Sequence, residues 1–274
     1  MTVTRISALI HTLNEERRLD YALRSVAWCD EIVVVDMHSD DRTVEIAQER
    51  GARVVQHERL GFADPARPFG VAQCTGDWIL TIDADELVTP ALAAALVEAA
   101  SSDVADVYYI HAATWLLGRV MQGTGWDIAT EQHARFFRRD AMDFTPVIHD
   151  FMRPKASARV AEIPADAALV HYNYVDLADF VDRLNRYTTI EARQRVERGE
   201  RADLHRAVYR GARETWKRFV SQRGYRDGWR GFCLSVLMGV YRFLTTAKMI
   251  ELRKTGGRDA IERLYDEERE RWLA

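Results

Sequence analysis

Asp83-Ala84-Asp85 stands directly behind the apolar run Trp78-Ile79-Leu80-Thr81-Ile82, with Glu86 following it. Carboxylates at the end of a buried strand can hold a divalent cation against a diphosphate that must be neutralised before it leaves. In extended chain, residues i and i+2 project to the same side. Asp83 and Asp85 can therefore share one ion, or one can take a ribose while the other takes the metal. Asp36 ends a second apolar run and opens the polar loop His38-Ser39-Asp40-Asp41-Arg42-Thr43. Such a loop can meet a base or ribose; equally, Ser39 or Asp40 can cap the helix that follows. Thr12-Leu13-Asn14-Glu15 has the same two readings, as pocket wall or as turn and cap.

The elements that would position these residues are legible around them. Ile6 to Ile10 reads as a strand and Leu19 to Trp28 as a helix. Glu31 to Asp36 is a β-branched run fit for a strand covered on both faces, and Asp40 to Gly51 has a helical pattern closed by glycine. Ala52 to Val55 gives a third strand, Pro65 to Ala72 a helix and Trp78 to Ile82 a fourth strand. Pro90 opens an alanine-rich helix. Alternation at this spacing predicts an α/β, doubly wound, mostly parallel sheet whose ligands sit beyond the carboxyl ends of its strands. From Val107 the pattern breaks into strand-like pieces, and beyond Val175 it is helical.

The 274 residues suffice for one large domain with an extension, and 47% of them are hydrophobic. Cys29, Cys74 and Cys233 fall in no CxxC spacing, which argues against structural zinc and a disulfide framework. With no secretory signal visible, the expected place is the cytoplasm. Charge divides the chain. Residues 1–180 hold 16 Lys+Arg against 28 Asp+Glu, a net of −12, whereas 181–274 carry +8. Between Arg206 and Lys254 there are 12 Lys+Arg and 3 Asp+Glu, and within that stretch lies an apolar run of about 11 residues, Gly231 to Tyr241. That run is shorter than the ~20 residues of a bilayer span. It can lie at an anionic membrane surface on the inner face of the cytoplasmic membrane, or pack as a buried helix. Nucleic acid is not expected, because no recognition motif accompanies the charge.

Taken together, ISALIHTLNEE, DEIVVVDMHSDDRTVEIAQERGARVV and GFADPARPFGVAQCTGDWILTIDADELVTPAL resemble the family 2 glycosyltransferases of the GT-A fold, especially small bacterial enzymes of the lipopolysaccharide-core type. HARFFRRD, VIHD, RLNRYTTIEA and GYRDGWRGFCLSVLMGVYRFLTTAKMIE resemble later blocks of the same group. The resemblance implies a GT-A catalytic domain over 1–175, with 1–100 binding the nucleotide sugar and 101–175 on the acceptor side, and a basic helical extension over 176–274. It implies an inverting transferase acting on a nucleotide-diphosphate sugar, commonly a UDP-sugar, with a glycan or lipid-linked acceptor in envelope polysaccharide synthesis. Thr12, Asn14 and Glu15 would line the nucleotide pocket, Asp36 with Ser39 would meet base and ribose, and Arg67 would approach the diphosphate. Asp83, with Ala84 beside it, would hold the ribose side, and Asp85 would bind Mg²⁺ or Mn²⁺.

An inverting enzyme needs a base for the acceptor hydroxyl. Glu131, ahead of Arg135-Phe136-Phe137-Arg138, matches the family's acidic position best, with Asp127 and Asp150 as alternates. His149 matches a V-H-E block and can complete the metal's coordination, with His171 a second choice. Trp126, beside Gly123 and Gly125, can offer a sugar-stacking platform. Two departures from the pattern stand out. The family's D-S-G-S-T-D is Asp36-Met37-His38-Ser39-Asp40-Asp41 here, and the asparagine usual after the arginine is Pro68. A nucleotidyltransferase would want a Gly-rich, lysine-containing loop after the first strand, and a dinucleotide enzyme G-x-G-x-x-G; neither is present. Retention of Asp83, Asp85 and a candidate base argues against a non-catalytic sugar-nucleotide or membrane-binding module.

Overall fold

In the computed structural model, residues 4–59, 64–144 and 152–274 are described. The strands and helices, in chain order, are β1 (Ile6–Thr12), α1 (Leu19–Ser25), β2 (Glu31–Asp36), α2 (Thr43–Glu49), β3 (Arg53–Gln56), α3 (Arg67–Gln73), β4 (Trp78–Asp83), β5 (Glu86–Leu87) and α4 (Pro90–Ser101). After these come β6 (Val107–Leu116), β7 (Arg119–Val120), β8 (Gln132–Arg138), β9 (Met142–Phe144), β10 (Met152–Pro154), β11 (Val160–Glu162) and β12 (Leu169–Tyr174). Four helices close the chain: α5 (Leu177–Glu197), α6 (Leu204–Trp216), α7 (Gly228–Thr255) and α8 (Arg258–Leu273).

The main sheet runs β3-β2-β1-β4-β8-β6-β12-β5. Its first four strands are parallel, with Leu9 opposite Val33 and Thr81. β8 then enters antiparallel to β4 and β6, so the sheet becomes mixed where the sequence pattern loosened. This is the expected α/β GT-A arrangement, parallel across the half that carries the first motifs. Every residue of β1 is buried, as a strand covered on both faces requires. Alternate residues face opposite layers. Ala8, Ile10, Val34 and Leu80 pack under α1 and α4 with Leu23 and Leu92, whereas Leu9, Val33 and Ile79 pack with Val71 and Phe137 on the other side. Trp78 stacks on Phe136 across β4 and β8 at 4.6 Å between ring centres.

The described chain falls into two compact units, Met1–Met121 with Trp126–Asn173, and Gln122–Gly125 with Tyr174–Ala274. In the second unit α5, α6 and α7 pack through polar pins set in small-residue seams. Tyr241 donates to Glu191 at 2.7 Å, and the Lys248 ammonium donates to Asn185, Thr188 and Thr189. Gly211 and Gly239 let α6 and α7 approach. A Cβ on Gly239 would stand 2.7 Å from the Gly211 carbonyl oxygen and inside contact of Thr215. Gly239→Ala is therefore expected to cost about 1–3 kcal/mol by overpacking, read as a lower urea midpoint at unchanged slope.

The apolar run Gly231 to Tyr241 is the middle of a longer helix. Gly224–Thr255 is long and apolar enough to cross a bilayer by length and composition, and 39% of its most apolar window is buried within the protein. The run was short because Arg242 interrupts hydropathy without interrupting the helix.

Candidate functional site

The carboxyl ends of β1, β2 and β4 carry the site. At the end of β2, Asp36 is buried and accepts from Thr12 Oγ1 at 3.0 Å, Ser39 N–H at 2.9 Å and Ser39 Oγ at 2.5 Å. Ser39 Oγ accepts from Asn14 N–H at 2.8 Å, and Asn14 Oδ1 accepts from Asp40 N–H at 2.7 Å. The loops after β1 and β2 are thus laced together side chain to backbone, and Glu15 joins them by donating its N–H to Thr43 Oγ1. Neither Ser39 nor Asp40 caps α2, as one reading of the sequence had it. Asp41 takes the Thr43 N–H at 3.0 Å instead, because its carboxylate lies two residues before the first helical amide. Asn14 and His38 both adopt left-handed backbone, at φ 59° and 57°. His38 occupies the position of the family pattern's glycine, and this φ supplies the physical reason for a glycine there.

Asp83 ends β4 between two arginines, 3.2 Å from Arg67 and 2.9 Å from Arg135. Arg135 also reaches Glu86 at 2.6 Å, and Glu86 accepts the Asp83 N–H at 2.7 Å. Burial pushes the Asp83 carboxyl upward, but the two guanidiniums outweigh it and hold the group well below the usual carboxylate range. Glu86 moves the opposite way, raised by burial and by the Asp83 charge against the pull of Arg135. Arg135 and Glu86 were not among the expected site residues. A charged residue inside Ala134-Arg135-Phe136-Phe137, a buried strand, must find a carboxylate, and that was the available signal.

Asp85 points elsewhere. Its oxygens lie 3.5 Å from Arg18 and 3.6 Å from His171 Nε2, on the wall of a cleft of about 330 Å³ lined also by Arg17, Tyr21, Leu87 and Tyr172. β12 brings His171 there by pairing antiparallel with β5, opposite Glu86. His149, the first choice as a metal partner, lies outside the described residues, as does Asp150; the imidazole set beside Asp85 is the second choice, His171. Asp83 and Asp85 thus have different partners, Arg67 and Arg135 for the first, Arg18 and His171 for the second. Among the described residues no group of three or more His, Cys, Asp or Glu is placed to hold a metal. Asp85 and His171 nevertheless form an oxygen–nitrogen pair of the kind that suits Mn²⁺ or Mg²⁺ when phosphate oxygens and waters complete the shell.

Antiparallel pairing with β4 puts the start of β8 at the edge where Asp83 leaves the sheet. Glu131, immediately ahead of β8, enters at that edge; its carboxylate accepts from Thr114 Oγ1 and lies 3.8 Å from His133. Asp127 accepts from Thr130 Oγ1 at 2.7 Å. Trp126 is half-buried in the sheet unit, while Gly123 and Gly125 belong to the helical unit.

His11 is buried at the end of β1, and burial followed by the Arg67 charge pushes it down to about 3. A depressed pKa means the fold holds the neutral ring. Its contribution is complete above the ordinary value near 6.5 and is lost as pH falls towards 3. About 2 kcal/mol should disappear between pH 6.5 and 5 in urea unfolding, and His11→Gln should flatten that limb. An unchanged slope in the variant would contradict the assignment.

The glycosyl transferase family 2 model matches residues 7–156, more than half of the chain, including the ends of β1, β2 and β4. The chain belongs to that family. Among its relatives, the family 2 chain is 27% identical to the lipopolysaccharide core biosynthesis glycosyltransferase LpsC of Rhizobium meliloti, covering 94% of this chain and 96% of that one. It is 29% identical to an uncharacterized glycosyltransferase of Rickettsia bellii over 90% and 87% of the two chains. Among solved structures, S. aureus TarS 1–349 aligns over 93% of this glycosyltransferase and 92% of its own chain at 18% identity and a TM-score of 0.49. Mycobacterium tuberculosis glucosyl-3-phosphoglycerate synthase, crystallised with Mn²⁺, UDP and phosphoglyceric acid, aligns over 73% and 81% at 18% identity and a TM-score of 0.47.

Proposed function

We propose that this glycosyltransferase is an inverting, metal-dependent enzyme that moves a sugar from a nucleoside-diphosphate donor, a UDP-sugar, to a glycan or lipid-linked acceptor of the cell envelope, in the cytoplasm. The observation that carries the reading is Asp85 beside His171 on the wall of a cleft at the carboxyl end of the parallel strands. Similarity to LpsC supports an envelope glycan. Within residues 1–100, Thr12, Asn14, Glu15, Asp36 and Ser39 form the wall for base and ribose. Asp83 and Ala84 lie at the ribose side, and Arg67 lends positive charge towards the diphosphate. Asp85 and His171 would hold Mg²⁺ or Mn²⁺, which when bound neutralises charge on the leaving diphosphate.

Residues 101–175 serve the acceptor. Glu131 takes the proton from the acceptor hydroxyl as that oxygen attacks the anomeric carbon, and the bond to the diphosphate breaks on the opposite face. Trp126 offers an apolar surface to a sugar ring. Calorimetric titration with UDP, GDP, CMP and dTDP, each with Mn²⁺ and again with EDTA, tests the reading. Metal-dependent binding of UDP is expected. Equal binding of UDP in EDTA would remove the metal, and binding of none would remove the donor class.

A further inference from the structure

We propose that the outer face of α6 and of the first half of α7 docks on an anionic lipid bilayer. Helix α6 is amphipathic the wrong way round for a packed helix. It buries its small residues, Ala207 and Gly211, and turns Leu204, Val208, Ala212 and Trp216, spaced by four, towards solvent with Tyr209. Leu204 and Val208 are 57% exposed and Tyr209 and Trp216 66%. At about 100° per residue these side chains fill an arc of roughly 140°, and Arg206, Arg210 and Arg213 span roughly 60° beginning about 40° beyond it.

Helix α7 continues the pattern. Trp229, Phe232, Val236 and Val240 form one exposed stripe, with Arg226 and Arg230 at its start. Phe219, between the two helices, packs edge-on against Phe232 at 5.6 Å and against Tyr225 at 6.5 Å, tying the two stripes into one surface. Apolar and aromatic side chains bordered by arginines match the boundary between acyl chains and anionic headgroups.

Charge selects the occupant. The stretch 206–254 holds 12 cations against 3 anions, so a second copy seated through this same face would set like charge against like. A bilayer carrying negative lipid complements it. The opposite side of α7 is fixed to α5 through Tyr241 and Lys248, and Arg242 lies along its length, so the helix lies on the membrane and does not cross it. The inference does not depend on the donor or metal assignments.

Co-sedimentation of the full chain with vesicles of phosphatidylcholine alone, and of phosphatidylcholine with 30% phosphatidylglycerol, tests it. The chain should bind the mixed vesicles at least ~50-fold more tightly, and 0.5 M NaCl should abolish most of the difference. Arg206→Gln/Arg210→Gln/Arg213→Gln should lose about 100-fold on the mixed vesicles, since each surface cation contributes roughly five-fold. Trp216→Ser/Trp229→Ser should lose binding while keeping the wild-type urea midpoint, because both rings are exposed. No pelleting with either vesicle, or equal binding to both, would overturn the proposal. So would a self-associating wild type that the tryptophan variant turns monomeric without any vesicle binding.

Discussion

Asp85→Asn is expected to lower turnover by roughly 10²-fold or more while leaving the thermal midpoint within a degree or two. The amide keeps the size of the carboxylate but brings no negative charge to a cation, and a principal electrostatic stabiliser of the leaving diphosphate goes with it. Little stability should be lost, because the amide oxygen can still accept from Arg18, 3.5 Å away, and from His171, 3.6 Å away. The discriminating readout is calorimetric. Nucleotide binding by the wild type should differ between Mn²⁺ and EDTA, and that difference should vanish in the variant. His171→Ala should raise the Mn²⁺ concentration needed for half-maximal activity. Near-normal turnover in Asp85→Asn would sink the metal assignment.

Arg135→Leu should be among the most damaging single changes in the sheet unit, costing about 3–5 kcal/mol. It would leave Asp83 and Glu86 as neighbouring carboxylates with their shared guanidinium gone, and removing the partner of the fully buried Glu86 strands that group without solvent. For a chain of this size the loss corresponds to a fall in Tm of order 10 °C. Adding Glu86→Gln to the same chain should recover part of it by removing one of the two negative charges, a coupling that a double-mutant cycle reads directly. A loss below 1 kcal/mol would show that Arg67 alone suffices for Asp83.

The strands that build the site were legible because each is an unbroken apolar or β-branched run, and the Asp83-Ala84-Asp85 turn stands out by following one of them. What joins Asp83 to Arg135 and Asp85 to His171 is register between strands 52 and 86 residues apart in sequence, and no local pattern encodes register across such distances. That is why the sequence ranked His171 second, although it is the imidazole that meets Asp85 among the described residues. The Thr43 N–H taken by Asp41 in place of Ser39 or Asp40 is a similar case. All three polar residues before α2 have suitable side chains, and the turn geometry alone decides between them. Helix α6 shows the same limit in another form, since periodicity locates an apolar stripe without revealing which side faces the protein.

The lacing of Asn14, Ser39 and Asp40 with Asp36 and Thr12 has a thermodynamic consequence. Side chains already fastened to one another have few rotamers left to freeze, so under the proposed donor role the entropic cost of ordering this pocket is met while the chain folds. A ligand entering such a pocket trades one set of hydrogen bonds for another, with a modest enthalpy and little rearrangement. Loosening a single knot, for example with Asn14→Gly, would move that cost from folding to binding and weaken the nucleotide without removing any group that touches phosphate.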